Sequence, residues 1–72
     1  MKTERIKAQE LKPGDVIEME FGDDGHFVQA TFLDSKTVPI LGIVMRVRYN
    51  DGTGRIFEVC PDRYNNVDRV IA

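Results

Sequence analysis

Arginines are the side chains of this sequence whose type and spacing could most readily do chemistry. Arg46 and Arg48 alternate with apolar residues in the stretch IVMRVRY, and Arg55 and Arg63 follow them closely. A guanidinium group offers several N–H donors that match a phosphate or a carboxylate. One interpretation is therefore that the four arginines form a strip of guanidinium groups that contacts a phosphate backbone or an acidic peptide.

The other interpretation of Arg46 and Arg48 is structural. Both would lie on an exposed strand face and pair across strands with Glu58, or with Glu18 and Glu20, for about 0.2–1 kcal/mol each. The chain has ten basic and twelve acidic side chains and a net charge of −2. An acidic balance disfavours long-range attraction to nucleic acid, so a nucleic-acid role ranks behind a protein partner.

Two aromatic residues form a second candidate set. Phe21 and Tyr49 each end an alternating stretch, VIEMEF and IVMRVRY, and Asn50 and Asp51 follow Tyr49. Aromatic rings at such positions either close the end of the core or contact a ligand there. Alternation places both rings with the inward apolar residues, which favours the core.

Residues for catalysis or metal binding are few. His26 is the only histidine, beside Asp23 and Asp24 in DDGH, and this stretch is more typical of a solvated turn than of a metal site. Cys60 is the only cysteine and is predicted to be a buried, inert thiol without a disulfide partner. We therefore predict no enzyme activity, no cofactor and no metal, unless an oligomer assembles a site between subunits.

The elements that must position these residues have a period of two. Alternation predicts that Ile17, Met19 and Phe21 face inward, as do Val28, Ala30 and Phe32, and then Ile43, Met45, Val47 and Tyr49. Further strands are predicted in RIFEVC and VDRVIA, and in residues 3–10, where a helical turn is the alternative. Phe27, Phe57 and Tyr64 are predicted to pack in the core or at its rim.

Turn signals separate these strands. SKTVPIL is predicted to be a loop ending at Gly42, NDGTG a hairpin turn rather than a phosphate cradle, and DRYNN a single helical turn. Residues 1–72 thus form one small domain, an all-β antiparallel barrel of five or six strands. We expect an intracellular protein with no membrane span, cytoplasmic, or nuclear if eukaryotic.

The order of these motifs resembles the Tudor and Agenet families of chromatin readers, from Pro13 to about Val70. The resemblance rests on Gly14-Asp15, VIEMEF, GDDG, FVQAT, IVMRVRY and NDGTG. It implies an SH3-like barrel. It also implies an aromatic cage that holds a methylated side chain by cation–π attraction, a role that falls here on Phe21 and Tyr49.

The cage implied by that resemblance is incomplete. Val28 stands where a cage tyrosine would precede Ala-Thr, and the second turn has Asp51-Gly52 without an aromatic residue. Asn50 or Asp51 would supply the polar contact. We therefore expect a non-catalytic module that binds a peptide or protein partner at the open end of the barrel. The alternative is a nucleic-acid-associated barrel that uses the four arginines, and the oligomeric state stays open.

Overall fold

The computed structural model describes residues 2–21 and 26–71, apart from the side chain of Phe21. These residues form one antiparallel sheet of six strands in the order β1-β6-β2-β3-β4-β5. The strands are β1 (Thr3–Lys7), β2 (Val16–Phe21), β3 (His26–Val38), β4 (Gly42–Tyr49), β5 (Ile56–Val59) and β6 (Asn66–Val70). The all-β, antiparallel prediction is confirmed.

Closure of the sheet into a barrel is not shown. β1 and β5 lie at the two ends of the strand order, and no pairing joins them in the described residues. β2, β3, β4 and β5 form a meander, whereas β6 returns to pair with both β1 and β2. The described sheet therefore has two edge strands, β1 and β5.

The core lies on the face that alternation predicts. Ile17, Ala30 and Val47 are completely buried, and Arg46 and Arg48 alternate with buried residues along β4. The buried set is Ala8, Leu11, Ile17, Ala30, Phe32, Met45, Val47, Tyr49 and Val67. Half-buried Met19, Val28 and Phe57 pack against this set, so the inward assignments of β2, β3 and β4 are confirmed for the side chains that the structure describes.

The loop predicted for SKTVPIL is wrong. β3 continues to Val38, and Lys36, Thr37 and Val38 pair with residues of β4 down to Gly42. β-Branched residues favour this extended ribbon, and Pro39, which has no N–H donor, ends it. Only residues 39–41 remain as the turn.

A bulge at Leu33 changes the face of the second half of β3. Phe32 pairs with Val47 and Asp34 pairs with Arg46, so that Leu33 is an extra residue on β3. One extra residue reverses the alternation that follows it. Asp34 consequently faces outward beside Arg46 instead of inward with Phe32.

The helical turn predicted for DRYNN is also wrong. Residues 62–65 form a turn in which Asn65 N–H donates to the Asp62 carbonyl, and Asn65 has a φ of 61°. The Asp62 carboxylate accepts the N–H groups of Tyr64 and Asn66, which competes with helix formation. The 3-10 turn of the described chain is Ala8–Glu10, after β1, and both alternatives for residues 3–10 are thus realised in succession.

One burial prediction needs correction. Cys60 is exposed, because β5 ends at Val59 and leaves Cys60 in the connection to β6. Phe27 is 58% exposed and Tyr64 is 64% exposed, so of the two positions predicted for these rings, core or rim, the core is excluded. Phe32 and Phe57 do pack there, as predicted.

Candidate functional site

Tyr49 belongs to the core rather than to an open surface. Its side chain is 6% exposed, and its ring lies 4.5 Å from the ring of Phe57, centroid to centroid, at an angle of 36°. Such a tilted contact stabilises a packed aromatic pair. Of the two interpretations open for Tyr49, the structure supports the core.

Asn50 and Asp51 are exposed and serve the hairpin between β4 and β5. The Asn50 carboxamide accepts the Thr31 hydroxyl at 3.1 Å, and an Asp51 carboxylate oxygen accepts both the N–H and the hydroxyl of Thr53. Bonds from the Thr53 hydroxyl and N–H lower the pKa of Asp51. The side chain of Phe21 lies outside the described residues, so its predicted ligand role stays a prediction.

The positive charge of Arg46 is balanced by a neighbouring carboxylate. Its Nε and Nη2 donate to the two carboxylate oxygens of Asp34 at 3.1 and 2.6 Å, and this hydrogen-bonded pairing raises the pKa of Arg46. Glu58 lies opposite Arg46 on β5 and binds Lys36 at 3.3 Å. The shallow depression of about 480 Å³ on this face is therefore charge-balanced.

Arg46 and Arg48 share the exposed face of β4, whereas Arg55 and Arg63 lie outside this strand. Arg48 is exposed on β4 and makes no ion pair with any residue that the structure describes. The guanidinium carbon of Arg55 lies 5.5 Å from the Phe57 ring centre, and that of Arg63 lies 5.9 Å from the Tyr64 ring centre. Arg63 belongs to the connection after β5, on a different element from Arg46 and Arg48.

Asp23 and Asp24, predicted neighbours of His26, lie outside the described residues, and His26 itself is exposed at the start of β3. Within residues 2–21 and 26–71 no group of three histidine, cysteine or carboxylate side chains could hold a metal ion. No helix in the same ranges is long and apolar enough to cross a membrane.

A cleft opens where β2 and β6 separate. The two strands pair only at Ile17 with Arg69 and at Glu18 with Asp68. Beyond Glu18 the strands diverge, and the space between them has a volume of about 510 Å³. Its lining is Arg5, Glu18, Met19, Glu20, Phe27, Met45, Cys60, Pro61, Asp62, Asn66, Val67 and Asp68. We call this space the acidic cleft.

The acidic cleft concentrates negative charge. Among the described residues, four carboxylates and one guanidinium line it, which gives these residues a formal charge of −3. Glu18 and Asp68 lie directly opposite each other on β2 and β6, an arrangement of like charges that destabilises a sheet. Arg5 binds Asp68 at 3.3 Å, whereas Glu18 and Glu20 make no ion pair in the described part of the chain.

Asp62 keeps its negative charge at the mouth of the cleft. The N–H groups of Asn66 and Tyr64 donate to its carboxylate and lower its pKa, with the charges of Arg5 and Lys7 adding a smaller effect in the same direction. The acidic character of this end of the cleft therefore persists at neutral pH.

The floor of the acidic cleft is apolar. Met19, Met45 and Val67 belong to the inward face, and the divergence of β2 and β6 brings them to the base of the cleft. Phe27 stands at the rim opposite Glu20, with 58% of its surface exposed. The arrangement can hold an apolar segment or aliphatic stem below and a positive charge above.

The sequence predictions missed the acidic cleft as a site. Alternation predicts that Glu18 and Glu20 face outward, and this is the only feature of the cleft that the sequence pattern predicts. Their proximity to Asp62 and Asp68 depends on the return of β6 beside β2, which local patterns do not predict.

Comparisons of the chain with protein-family models, with curated protein sequences and with solved structures find no match.

Proposed function

We propose that this protein is a non-catalytic interaction module that binds a basic peptide segment of a partner protein in the acidic cleft. One observation supports this function most strongly. Glu18 and Asp68 are held opposite each other over an apolar floor, with Arg5 as the single cation among the described residues that line the cleft. A ligand cation placed there would relieve the repulsion that the folded chain retains.

The charges define the ligand. Glu18, Glu20 and Asp62 surround a cleft of net negative charge, so an arginine or lysine side chain gains charge-assisted hydrogen bonds while an acidic segment is repelled. Phe27 offers an exposed ring face beside Glu20. A cation above an exposed ring of this kind gains about 0.5–1 kcal/mol.

The strands define the conformation of the ligand. Met19 and Glu20 pair with β3 on one side of β2, and among the described residues no strand pairs with them on the side that faces β6. A peptide in extended conformation can add main-chain hydrogen bonds along such an edge, while alternate side chains enter the cleft. We therefore propose an extended ligand with basic residues at alternate positions.

We also propose that the fold is related to the SH3-like barrels of the Tudor type. The meander β2-β3-β4-β5, with β6 returning to β2, supports this relation, and so does the position of the motifs Gly14-Asp15 and NDGTG in its turns. The proposed ligand site differs from the implied aromatic cage, because Tyr49 is buried and the acidic cleft lies on β2 and β6.

The single cysteine allows a direct test. Cys60 is exposed and lines the acidic cleft, so its reaction with a small disulfide reagent reports occupancy of the cleft. The probe is a blocked peptide of alternating arginine and serine. We expect it to slow the reaction of Cys60 in a saturable manner, and a matched peptide of alternating glutamate and serine to leave the rate unchanged.

Matched charge variants locate the binding. Glu18→Gln with Glu20→Gln removes two carboxylates from the cleft and should weaken the arginine peptide about tenfold or more, at about 0.5–1.5 kcal/mol for each hydrogen bond lost. Glu58→Gln removes one carboxylate from the charge-balanced depression beside β4, away from the acidic cleft, and should not change the affinity. Equal affinity of the arginine peptide for the cleft variant and the parent protein would overturn the proposed function.

A further inference from the structure

Arg5 is the one positively charged side chain among the described residues that line the acidic cleft. It belongs to β1, and its Nε donates to Asp68 Oδ1 at 3.3 Å. Asp68 is also its partner in the pairing of β1 with β6. The chain therefore places a cation of its own against one of the carboxylates that would bind a basic ligand.

The charges in this row of the sheet alternate only in part. Arg5 on β1 lies opposite Asp68 on β6, and Asp68 lies opposite Glu18 on β2. Neighbouring strands are about 4.8 Å apart, which puts the backbone of Glu18 about 10 Å from that of Arg5. Arg5 pairs with Asp68, and Glu18 has no ion-pair partner among the described residues. A ligand cation above Asp68 and Glu18 would complete the alternation of charge.

The contact between Arg5 and Asp68 is easily opened. The Arg5 side chain is 65% exposed and the Asp68 side chain is 39% exposed, and one nitrogen atom makes the contact. Exposed pairs of this kind contribute little to stability, because water solvates both charges when the pair opens. Arg46, by comparison, donates two hydrogen bonds to Asp34. A ligand guanidinium that enters the cleft can therefore take the place of Arg5 on Asp68.

The charge of Arg5 also acts at the mouth of the cleft. The Asn66 N–H has the largest lowering effect on the pKa of Asp62, followed by the Tyr64 N–H and then by the charges of Arg5 and Lys7. A cation that stabilises a carboxylate in this way repels a second cation placed beside it. Arg5 therefore opposes a ligand cation at Asp62 as well as at Asp68.

We propose that Arg5 is an internal competitor of the ligand, and that a ligand guanidinium displaces it from Asp68 on binding. This inference rests on the proposed function, because it requires a basic ligand in the acidic cleft. Arg5 weakens every basic ligand at Asp68 but does not pair with Glu18 or Glu20. It thereby favours ligands whose further basic side chains reach these two glutamates.

Matched variants of β1 test the competition. Arg5→Gln removes the internal cation, and Lys7→Gln removes the same charge two residues away on the same exposed face of β1. Lys7 does not line the cleft, and its Nζ donates to the Tyr64 carbonyl at 2.9 Å. The probe is the blocked peptide of alternating arginine and serine, and its affinity is measured by protection of Cys60 from the disulfide reagent. We expect Arg5→Gln to bind it about twofold to fivefold more tightly than Lys7→Gln, as release of one exposed ion pair allows.

The outcomes separate this inference from the proposed function. Equal affinities of Arg5→Gln and Lys7→Gln, with binding to the parent chain retained, would overturn the competition and leave the proposed function standing. Binding to Arg5→Gln without binding to the parent chain would support the competition and overturn the function proposed for the parent. No binding to any of the three proteins would overturn both.

The parent chain gives a second test that does not depend on the folding of a variant. The Nε–Hε resonance of Arg5 in the isotope-labelled protein reports its contact with Asp68. We expect this resonance to shift during titration with the arginine–serine peptide, with the same midpoint as the backbone amides of residues 18–20. An unchanged Arg5 resonance while those amides shift would overturn the inference.

Discussion

Replacement of Ile40 by glycine is expected to stabilise this protein. Ile40 has a φ of 75° and a fully exposed side chain, so the change removes backbone strain without loss of buried surface. Strain at a residue in this region is on the order of 1–3 kcal/mol. The added freedom of glycine in the unfolded chain costs about 0.5–1 kcal/mol in return.

The difference between these two terms gives the expected magnitude. We predict that Ile40→Gly raises the free energy of unfolding by about 1 kcal/mol, within limits of about 0 and 2.5 kcal/mol. For a domain of this size that corresponds to a rise in Tm of about 4–8 °C. Urea unfolding at 25 °C, followed by circular dichroism, measures the free energy and shows through the slope whether the transition remains two-state.

Leu41→Gly is the matched control for this prediction. Leu41 is also largely exposed, but its φ is not positive, so the variant gains no relief of strain. It should lose about 0.5–1 kcal/mol through the freedom of glycine alone. The reasoning is refuted if Ile40→Gly is destabilised to the same extent as Leu41→Gly.

Three further predictions follow from charged residues. Glu18→Gln should raise the free energy of unfolding by about 0.2–1 kcal/mol, because it removes the like charge opposite Asp68. Glu58→Gln should lower the free energy of unfolding by up to about 1 kcal/mol, because it removes the ion pair with Lys36. Chemical denaturation of both variants measures the sign of each change. The pKa of Asp62 lies below its ordinary value of 3.8, so the stabilisation from this carboxylate is complete above that pH and is lost as the pH falls through and below it. Thermal unfolding across this range should show a weaker pH dependence for Asp62→Asn, and an identical profile would contradict the role of the Tyr64 and Asn66 N–H groups. Because Asp34 balances the charge of Arg46, we expect an oligonucleotide titration at low salt to show no binding. Binding that weakens steeply with rising salt and in the Arg48→Glu variant would favour the nucleic-acid alternative.

The inward and outward faces of the strands could be predicted because alternation is a local property. In β4, Met45, Val47 and Tyr49 are buried and Arg46 and Arg48 are exposed, as the period of two requires. In the same way, Gly52 and Gly54 have positive φ in the hairpin predicted for NDGTG. Such features depend on residues that are close in the chain.

The partners of those faces could not be predicted in the same way. The bulge at Leu33 shifts the register by one residue. Asp34 is therefore the ion-pair partner of Arg46, instead of the glutamates predicted from the sequence. The sequence prediction ends β3 too early, because Pro39 disrupts only residues 39–41 and not the residues before it. Register and strand length depend on the paired strand, which the local pattern does not contain.

The candidate site depends still more on distant residues. The sequence places Glu18 and Glu20 outward, but the acidic cleft exists because β6 brings Asp68 and Val67 beside β2 and then diverges from it. Two of the residues predicted for ligand binding make local contacts, since Tyr49 packs on Phe57 and the Asp51 carboxylate accepts the hydroxyl of Thr53. An aromatic residue at the end of a strand is compatible with either role until its burial is known.

Amide chemical-shift mapping with the arginine–serine peptide tests the proposed function most directly. Binding in the acidic cleft predicts saturable shifts at residues 18–20, at Cys60 and Asp62 and at residues 66–68, and none at the hairpin of residues 49–51. Shifts confined to residues 49–51, or no shifts at all at low salt, would contradict the assignment of the cleft as the binding site.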